Sequence, residues 1–229
     1  MKTHIAQVLQ SIHVQTRYKQ NEVHVRTLQS ENLELTRALR EKEREIDGLR
    51  HQMANLEARL QELLGTDILT GLPNRHVFKE HLTHSLKRAL RLGYSLSLML
   101  VDIDHLREIN DHHGYEVGDR VLVEVAQSLK SAVREVDMPA RWGGEELVAV
   151  LHETDIEGAA VVAERVRRRV SALTIPNPAT GRLIKVTVTL SVASYPTHGS
   201  EAHGLLEYAL DALTAAKNKG CNTVVIASR

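Results

Sequence analysis

Apolar residues recur at the first and fourth positions of a seven-residue repeat between residues 25 and 63. Ten of the twelve core positions are apolar: Val25, Leu28, Leu35, Leu39, Ile46, Leu49, Met53, Leu56, Leu60 and Leu63. The pattern predicts a long helix that buries this stripe in a coiled coil. The other two positions hold Asn32 and Lys42, and an asparagine in such a position favours a parallel, in-register dimer. A helix packed back on its own domain is the alternative.

Residues 1–24 carry a shorter apolar stripe, Ile5, Val8, Leu9 and Ile12, which is out of step with the later repeat. The coil therefore ends near this point or continues through a discontinuity. The segment could receive a signal, accept a partner protein or belong to a constitutive dimer, and its residues do not choose between these roles. We expect three parts: residues 1–24, a coiled-coil helix over 25–64 and a globular domain over 65–229.

The globular part alternates between helix-like and strand-like patterns. The predicted helices are 76–92, 115–133, 155–171 and 202–218, and the predicted strands are 95–103, 183–193 and 222–227. Residues 138–151 form two short apolar runs around Gly143-Gly144, which is the pattern of a β-hairpin. A hairpin excludes an all-parallel sheet. We therefore expect an α/β fold with a mostly antiparallel central sheet, flanked by helices and ferredoxin-like in its core.

Acidic residues stand where two of the predicted strands end. Strand 95–103 runs into Asp102 and Asp104, and the hairpin carries Glu145 and Glu146 at its tip. If these strands are neighbours, the carboxylates meet at one edge of the sheet, where their repulsion calls for a hard divalent cation. An oxygen-rich site of this kind suits magnesium bound together with substrate phosphates. A solvated acidic turn is the alternative for the hairpin tip taken alone.

Composition argues against several other classes of protein. Lysine plus arginine and aspartate plus glutamate both number 29, so net charge favours neither nucleic acid nor an anionic membrane as a partner. The polar first residues, the lack of a long apolar run and the single cysteine, Cys221, favour a soluble cytoplasmic protein. Among the scattered histidines, His81 with His84 and His112 with His113 come nearest to the spacing of metal ligands. Surface histidines are the favoured interpretation of both pairs.

Six motifs follow one another in a recognisable order. They are Asp67–Arg75, Asp102–Asp111, Gly114–Asp119, Arg141–Leu147, Val186–Pro196 and Ala216–Gly220. In this order and spacing they resemble the GGDEF family, the diguanylate cyclases of bacterial second-messenger signalling. The resemblance covers residues 67–227. It implies the palm-like fold of that family, joined to the coiled coil by a wide turn in which Asp67 and Arg75 form an ion pair.

The resemblance also implies an enzyme that joins two GTP molecules into cyclic di-GMP and releases two pyrophosphates. Asp102 and Glu146, with the main-chain carbonyl of Ile103, would bind Mg²⁺, with two ions per active site and Mn²⁺ as a possible substitute. Glu145 would share a metal and deprotonate or orient the attacking 3′-hydroxyl. Asp104 is expected to have a supporting or structural part. Each domain would hold one GTP, so the chemistry would need a homodimer.

Further residues are implied in contacts with GTP. Asn110 and Asp119 would recognise guanine, because an aspartate accepts from its N1–H and N2–H₂ groups and adenine lacks that pair of donors. Gly143 and Gly144 would let the backbone approach the nucleotide without a Cβ in the way. Lys217 matches the family lysine that contacts the phosphates. A helix cap is the alternative for Asn110, and an ordinary solvated lysine is the alternative for Lys217.

A second site is implied by Arg134 and Asp137, an Arg-x-x-Asp motif that ends shortly before the hairpin. It matches the site at which the family is inhibited by its own product. Arg165 falls where the family has a further arginine of that site, and a guanidinium suits both phosphate and guanine. An ordinary surface ion pair is the alternative.

Six residues depart from the family pattern, and Leu106, Leu210 and Thr214 are three of them. Cys221 stands where the family usually has an arginine that is thought to contact GTP phosphates, Tyr115 replaces a histidine, and Leu147 replaces a phenylalanine. These departures leave two alternatives to an active cyclase. One is a degenerate domain that senses cyclic di-GMP or GTP and signals through the coil, and the other is an inert domain on a scaffold.

Overall fold

The computed structural model describes residues 32–33, 35–53, 56 and 65–228. The chain divides into two compact units, residues 1–58 and 59–229, which are described separately. In the first unit the described residues are helical, as the repeat predicts, and its apolar positions are exposed, with Leu39 and Met53 at 61% each. Segment 1–24 and the remainder of the coiled-coil prediction lie outside the described residues.

The second unit is built on a five-stranded sheet of order β2-β3-β1-β6-β7, with β4 and β5 paired in a separate small hairpin. The strands are β1 Leu96–Ile103, β2 Met138–Gly143, β3 Glu146–Leu151, β4 Ile175–Pro176, β5 Leu183–Ile184, β6 Val188–Tyr195 and β7 Val224–Ile226. Within the large sheet β6 and β7 are parallel and the other pairs are antiparallel. The prediction of a mostly antiparallel sheet is therefore confirmed.

Helices cover both faces of this sheet. They are α1 Arg75–Leu92, α2 Leu106–His113, α3 Tyr115–Ala132, α4 Ile156–Ser171 and α5 Ala202–Lys219. Because side chains alternate along a strand, β1 separates two cores: Met99 and Val101 pack with α3 and α4, whereas Leu98 and Leu100 pack with α1 and α5. Every residue of β1 is buried, so this central strand is held from both sides.

Two parts of the predicted element order are wrong. Residues 106–113 form helix α2, which the sequence pattern did not predict, and strand 183–193 is interrupted at residues 185–187 between β5 and β6. At the end of the interruption the chain joins the main sheet, where the carbonyl of Thr187 accepts from the N–H of Asp104 at 3.0 Å. Among the described residues, no helix combines the length and the apolar character that crossing a bilayer requires.

The turn before α1 is held by a different ion pair from the expected one. Asp67 accepts from the N–H and hydroxyl of Thr70, and it lies 3.1 Å from Nη1 of Arg141. Arg75 instead places its guanidinium 4.3 Å from the ring centre of Trp142. The expectation of an Asp67–Arg75 pair is therefore wrong. Arg141 reaches Asp67 because β2 runs beside the turn, where the N–H of Arg141 donates to the Pro73 carbonyl at 2.9 Å.

Candidate active site

The end of β1 and the tip of the β2–β3 hairpin lie side by side. Asp102 is paired with Glu146 in the antiparallel register of β1 and β3. The N–H of Ile103 donates to the carbonyl of Glu145 at 3.2 Å, which continues this pairing past the end of β3. The two acidic segments therefore meet at one edge of the sheet.

The hairpin tip depends on its two glycines. Gly143 has a φ of 153° and Gly144 a φ of 52°, conformations that side chains disfavour and glycine tolerates. Space is open where a Cβ would stand on either residue. Arg141 supports the tip by donating from Nη2 to the carbonyl of Gly144 at 2.8 Å. The tip therefore presents bare backbone toward any ligand that approaches it.

Lys217, in the last turn of α5, reaches the same carboxylates. Its Nζ lies 2.6 Å from Oδ1 of Asp102 and 3.7 Å from Oε1 of Glu145. The side chain of Lys217 is about one third exposed and that of Asp102 is nearly buried. Lys217 is therefore an ion-pair partner of the acidic cluster, and the alternative of an ordinary solvated lysine is wrong.

The electrostatics of the cluster show an excess of acid. Burial raises the pKa of Asp102 to about 6 against the lowering effect of Lys217, and the charges of Glu145 and Glu146 add to the rise. Burial also raises the pKa of Glu146. Burial alone would lower the pKa of Lys217, but its contact with Asp102 outweighs this and raises it. Lys217 thus stays charged while it faces three carboxylates, and a further cation would be favourable.

The donor set suits a hard divalent cation. Oδ1 of Asp102 is buried and makes no directional hydrogen bond, although the Lys217 ammonium lies beside it. The carboxylates of Asp102, Glu145 and Glu146 are the oxygen ligands that Mg²⁺ prefers. Within the described ranges, no three acidic, histidine or cysteine side chains are already gathered around a metal position. In the structure the ammonium of Lys217 is the cation that contacts Asp102 and Glu145.

Asp104 has a structural part. Its carboxylate accepts from the hydroxyl of Thr187 at 2.7 Å, from the hydroxyl of Thr189 at 2.6 Å and from the N–H of Asn222 at 2.9 Å. These bonds tie β1 to β6 and to the segment that follows α5. Cys221 is exposed in that segment and introduces no positive charge there.

Asn110 and Asp119 come from successive helices. Oδ1 of Asn110 is buried without a hydrogen-bond partner, and a Cβ added at Gly118 would lie only 1.8 Å from it. Asn110 thus packs against the residue that precedes Asp119, whose own side chain is exposed. The helix-cap alternative for Asn110 is wrong, because α3 begins after Gly114 with no side-chain cap.

The proposed inhibitory residues are only partly brought together. Arg134 and Arg165 line one cavity of about 470 Å³, and Arg165 donates to the carbonyl of Ala132. Asp137 is buried, and its carboxylate accepts from the N–H of Arg134 at 2.9 Å and from the N–H of His152 at 3.0 Å. Asp137 therefore shapes a turn and is not the exposed member of a surface ion pair.

Sequence reasoning gave no role to three residues that organise the site: Arg141, Thr187 and Thr189. The two threonines have a detectable signal, because they stand two apart within the predicted strand 183–193, where such residues share a face, and both reach Asp104. Arg141 has no such signal, since its partner Asp67 is 74 residues away along the chain.

Three features together define a class of protein. They are a mixed sheet flanked by helices, an acid at the end of the central strand, and a Gly-Gly-Glu-Glu hairpin tip beside that acid. The family profile described as "Diguanylate cyclase, GGDEF domain" matches residues 64–223, and the chain belongs to this family. GGDEF diguanylate cyclases are nucleotidyltransferases and are generally metal dependent.

One relative is Diguanylate cyclase A of Treponema denticola, 37% identical over 173 residues that cover 74% of this chain and 46% of that protein. The chain thus spans less than half the length of these curated relatives, 46% in this case and 36% in another.

Two solved structures extend the comparison beyond the globular domain. Diguanylate cyclase SiaD of Pseudomonas aeruginosa, in complex with its activator SiaC, is 33% identical with a TM-score of 0.67, and the match covers 98% of this chain and 83% of that one. The coiled coil and GGDEF domain of DgcB from Caulobacter crescentus, in complex with c-di-GMP, is 28% identical with a TM-score of 0.68 and coverages of 84% and 99%.

Proposed function

We propose that this chain is a diguanylate cyclase that condenses two GTP molecules into cyclic di-GMP and releases two pyrophosphates. The observation that carries the proposal is the register pairing of Asp102 with Glu146 beside Lys217, which gathers carboxylates and an ammonium at one edge of the sheet. Membership in the GGDEF family and the identity to a protein named as a diguanylate cyclase support the same reaction.

In this reaction the 3′-hydroxyl oxygen of each GTP forms a bond to the α-phosphorus of the other, and the bond from that phosphorus to pyrophosphate breaks. Bound Mg²⁺ or Mn²⁺ would neutralise phosphate charge, held by Asp102, Glu145, Glu146 and the carbonyl of Ile103. Glu145 is 39% exposed and accepts or orients the proton of the 3′-hydroxyl. Lys217 exchanges its contact with Asp102 for the nucleotide phosphates.

We assign guanine recognition to Asn110 and Asp119. The side chain of Asn110 is partly exposed, and its amide can exchange hydrogen bonds with the edge of a base. The exposed carboxylate of Asp119 can accept from two further N–H groups. Since guanine presents adjacent N–H donors on one edge and adenine does not, this pair favours GTP over ATP.

The reaction requires two copies of the domain, because each copy holds one GTP. We propose that the copies are joined by a parallel coiled coil through the apolar repeat. In support, the described repeat positions Leu39, Ile46 and Leu49 are 49–61% exposed in the single chain. A cytoplasmic location, and the absence of nucleic acid and membrane among its partners, stay predictions from composition.

The experiment is an assay of purified full-length protein with GTP and Mg²⁺ or Mn²⁺, followed by chromatography of the nucleotides. We expect cyclic di-GMP from the wild type and a loss of at least about a hundredfold in Glu145→Gln and Glu146→Gln, since each removes charge from the reacting centre. Glu157→Gln, an exposed acid in the first turn of α4, is the control and should keep full activity. A wild type that binds GTP but forms no product with either metal would remove the enzyme assignment.

We further propose product inhibition through Arg134 and Arg165, with Asp137 holding the turn. The cavity that the two arginines share offers two guanidinium groups to the phosphates of cyclic di-GMP. Calorimetric titration with cyclic di-GMP should show binding that Arg134→Ala and Arg165→Ala weaken, and turnover of these variants should fall less as product accumulates. Unchanged binding in both variants would place the product elsewhere.

The second candidate function is a degenerate domain that senses cyclic di-GMP or GTP. Its specific support is Cys221, which is exposed and uncharged where the family usually has an arginine. The titration and the product assay together separate the two candidates, because both bind cyclic di-GMP through Arg134 but only the cyclase forms it from GTP.

We also propose that residues 1–24 receive an activating protein partner. The similarity to SiaD, whose structure is a complex with its activator, extends over 98% of this chain and so includes most of this segment. Deletion of residues 1–24 should leave the basal cyclase rate of the dimer unchanged and abolish stimulation by any protein that activates the full chain. Stimulation that survives the deletion would contradict this assignment.

A further inference from the structure

Two histidines from distant parts of the chain meet at the opposite end of β3 from Glu146. His81 lies in the middle of α1, and His152 directly follows the last residue of β3. Their Nε2 atoms are 3.0 Å apart, and the two rings stand edge to face with centroids 5.3 Å apart. Neither histidine has a part in the proposed cyclase reaction.

A contact between two imidazole nitrogens fits few chemical situations. Neutral rings can share one proton, with one nitrogen donating and the other accepting. A similar distance between the two nitrogens is found when both bind one tetrahedral zinc ion. Zn–N bonds of about 2.0–2.1 Å place the two nitrogens roughly 3.3 Å apart. The observed 3.0 Å separation therefore needs to widen by only a few tenths of an ångström to admit a metal ion.

The surroundings keep both rings in the form that binds metals. Burial lowers the pKa of His81, and the neighbouring His152 and His84 lower it further. Burial also lowers the pKa of His152 against the raising effect of Asp137. Both effects favour the neutral imidazole, which keeps a lone pair on one nitrogen.

Additional donors line the same cavity, which has a volume of about 540 Å³. His84 lies one helical turn after His81, and Glu153 follows His152 with a φ of 48°, an uncommon conformation for a residue with a side chain. Arg88 and Arg134 also line the cavity and oppose a cation there. The carboxylates of Glu153 and Asp137, which act on His152, counter that opposition.

We propose that His81 and His152 form a binding site for a borderline divalent cation such as Zn²⁺, completed by water and by His84 or Glu153. Among the described residues no three ligand side chains are arranged around a metal position, so His84 or Glu153 would have to change rotamer to complete the site. A bound ion would tie α1 to the end of β3. This assignment replaces the interpretation of His81 and His84 as ordinary surface histidines, and it does not depend on the proposed cyclase activity.

The first test is calorimetric titration of ZnCl₂ into full-length, tag-free protein freed of metals by a chelator. We expect about one equivalent per chain. His81→Gln and His152→Gln should each weaken binding by at least about tenfold, since even loss of an outer-shell partner costs a metal site 10–100-fold. The control is His203→Gln, which removes an exposed histidine paired with Glu207 at 3.2 Å and should leave the titration unchanged.

A second measurement needs no variant and so does not depend on how the variants fold. Long-range ¹H–¹⁵N spectra of the wild type should show the imidazole nitrogens of His81 and His152 shifting as one equivalent of Zn²⁺ is added. The proposal is overturned if the wild type shows no saturable binding, if both variants bind as tightly as the wild type, or if the shifts fall on other histidines. A pair that only shares a proton would respond to pH and not to zinc.

Discussion

Asn110 and Gly118 pack so closely that the side chain of Asn110 leaves no room for a side chain at position 118. The Oδ1 atom of Asn110 occupies the volume that a side chain at position 118 would need. Because that oxygen is buried without a partner, its position is set by packing and not by a hydrogen bond. A small change at Gly118 therefore alters where Asn110 presents its amide, without removing any group that would touch GTP.

Gly118→Ala should weaken GTP binding by about tenfold while leaving the fold intact. The added Cβ displaces the amide of Asn110, and a buried hydrogen bond lost in this way costs roughly 1–3 kcal/mol. The free energy of unfolding should stay within about 1 kcal/mol, because alanine is the better helix former. Calorimetry with a GTP analogue that cannot release pyrophosphate measures the first effect, and urea unfolding measures the second.

Gly204→Ala is the matched control for this change. It makes the same substitution in α5, where no atom lies within 4 Å of the added Cβ. Equal GTP affinity in both variants would mean that Asn110 does not contact the base.

At the scale of elements, the hairpin and the turn before α1 are a single assembly. Arg141 on β2 joins them, with Nη1 on the carboxylate of Asp67 and Nη2 on the carbonyl of Gly144. Thr70 holds the other side of the same carboxylate. The conformation of the acidic tip is therefore coupled to the segment through which the globular domain begins.

Arg141→Met should destabilise the domain by about 3 kcal/mol and lower the rate of cyclic di-GMP formation. The change leaves Asp67 nearly buried without its cation, and breaking such a pair typically costs about 3–5 kcal/mol. Urea unfolding and the product assay measure the two effects. Arg168→Met is the control: it removes a guanidinium that is 74% exposed and paired with Glu164, so it should cost less than about 1 kcal/mol.

The loss in free energy of unfolding caused by Arg141→Met should depend on pH in a defined way. Burial acts to raise the pKa of Asp67, but the bonds from Thr70 and the charge of Arg141 outweigh it and hold the pKa below its ordinary value of 3.8. A carboxyl with a depressed pKa stabilises the fold above that ordinary value and loses the contribution as pH falls through its folded-state pKa. The deficit should thus be fully present at neutral pH and shrink as the pH falls through the acid range toward the folded-state pKa of Asp67, below 3.8. A deficit that disappears near pH 6 would assign the effect to another group.

At the scale of the whole molecule, the proposed reaction depends on bringing two domains together. The described helical residues expose the apolar stripe of the repeat, including Ile46 at 49% and Leu56 at 60%. Such a stripe is stable in water only when a partner helix covers it.

Ile46→Asp should convert the proposed dimer into a monomer and reduce cyclic di-GMP formation severely, while GTP still binds. The residual rate should rise with the square of protein concentration, because two free domains must then meet. Sedimentation measures the association state, and the product assay measures the rate. Arg44→Asp, on the outer face of the same repeat, should leave both unchanged, and a fully active Ile46→Asp monomer would contradict the requirement for two copies.

An element or contact could be predicted from the sequence when the residues that form it lie within a few positions of one another along the chain. The hairpin, the helices with period 3.6 and the acids at the end of β1 have signals within a few residues, and the structure confirms these elements. The partner of Asp67 could not be chosen, because Arg75 and Arg141 are equally basic and only the folded sheet brings Arg141 close. The contact of His81 with His152 spans 71 residues and has no local signal.

Strand β1 has one further consequence. All eight of its residues are buried, and both of its edges are hydrogen-bonded to neighbouring strands. Asp102 therefore cannot be withdrawn or tilted by a signal without breaking the core of the domain. If the proposed two-copy reaction holds, control has to act from outside, through the frequency and angle at which two half-sites encounter each other.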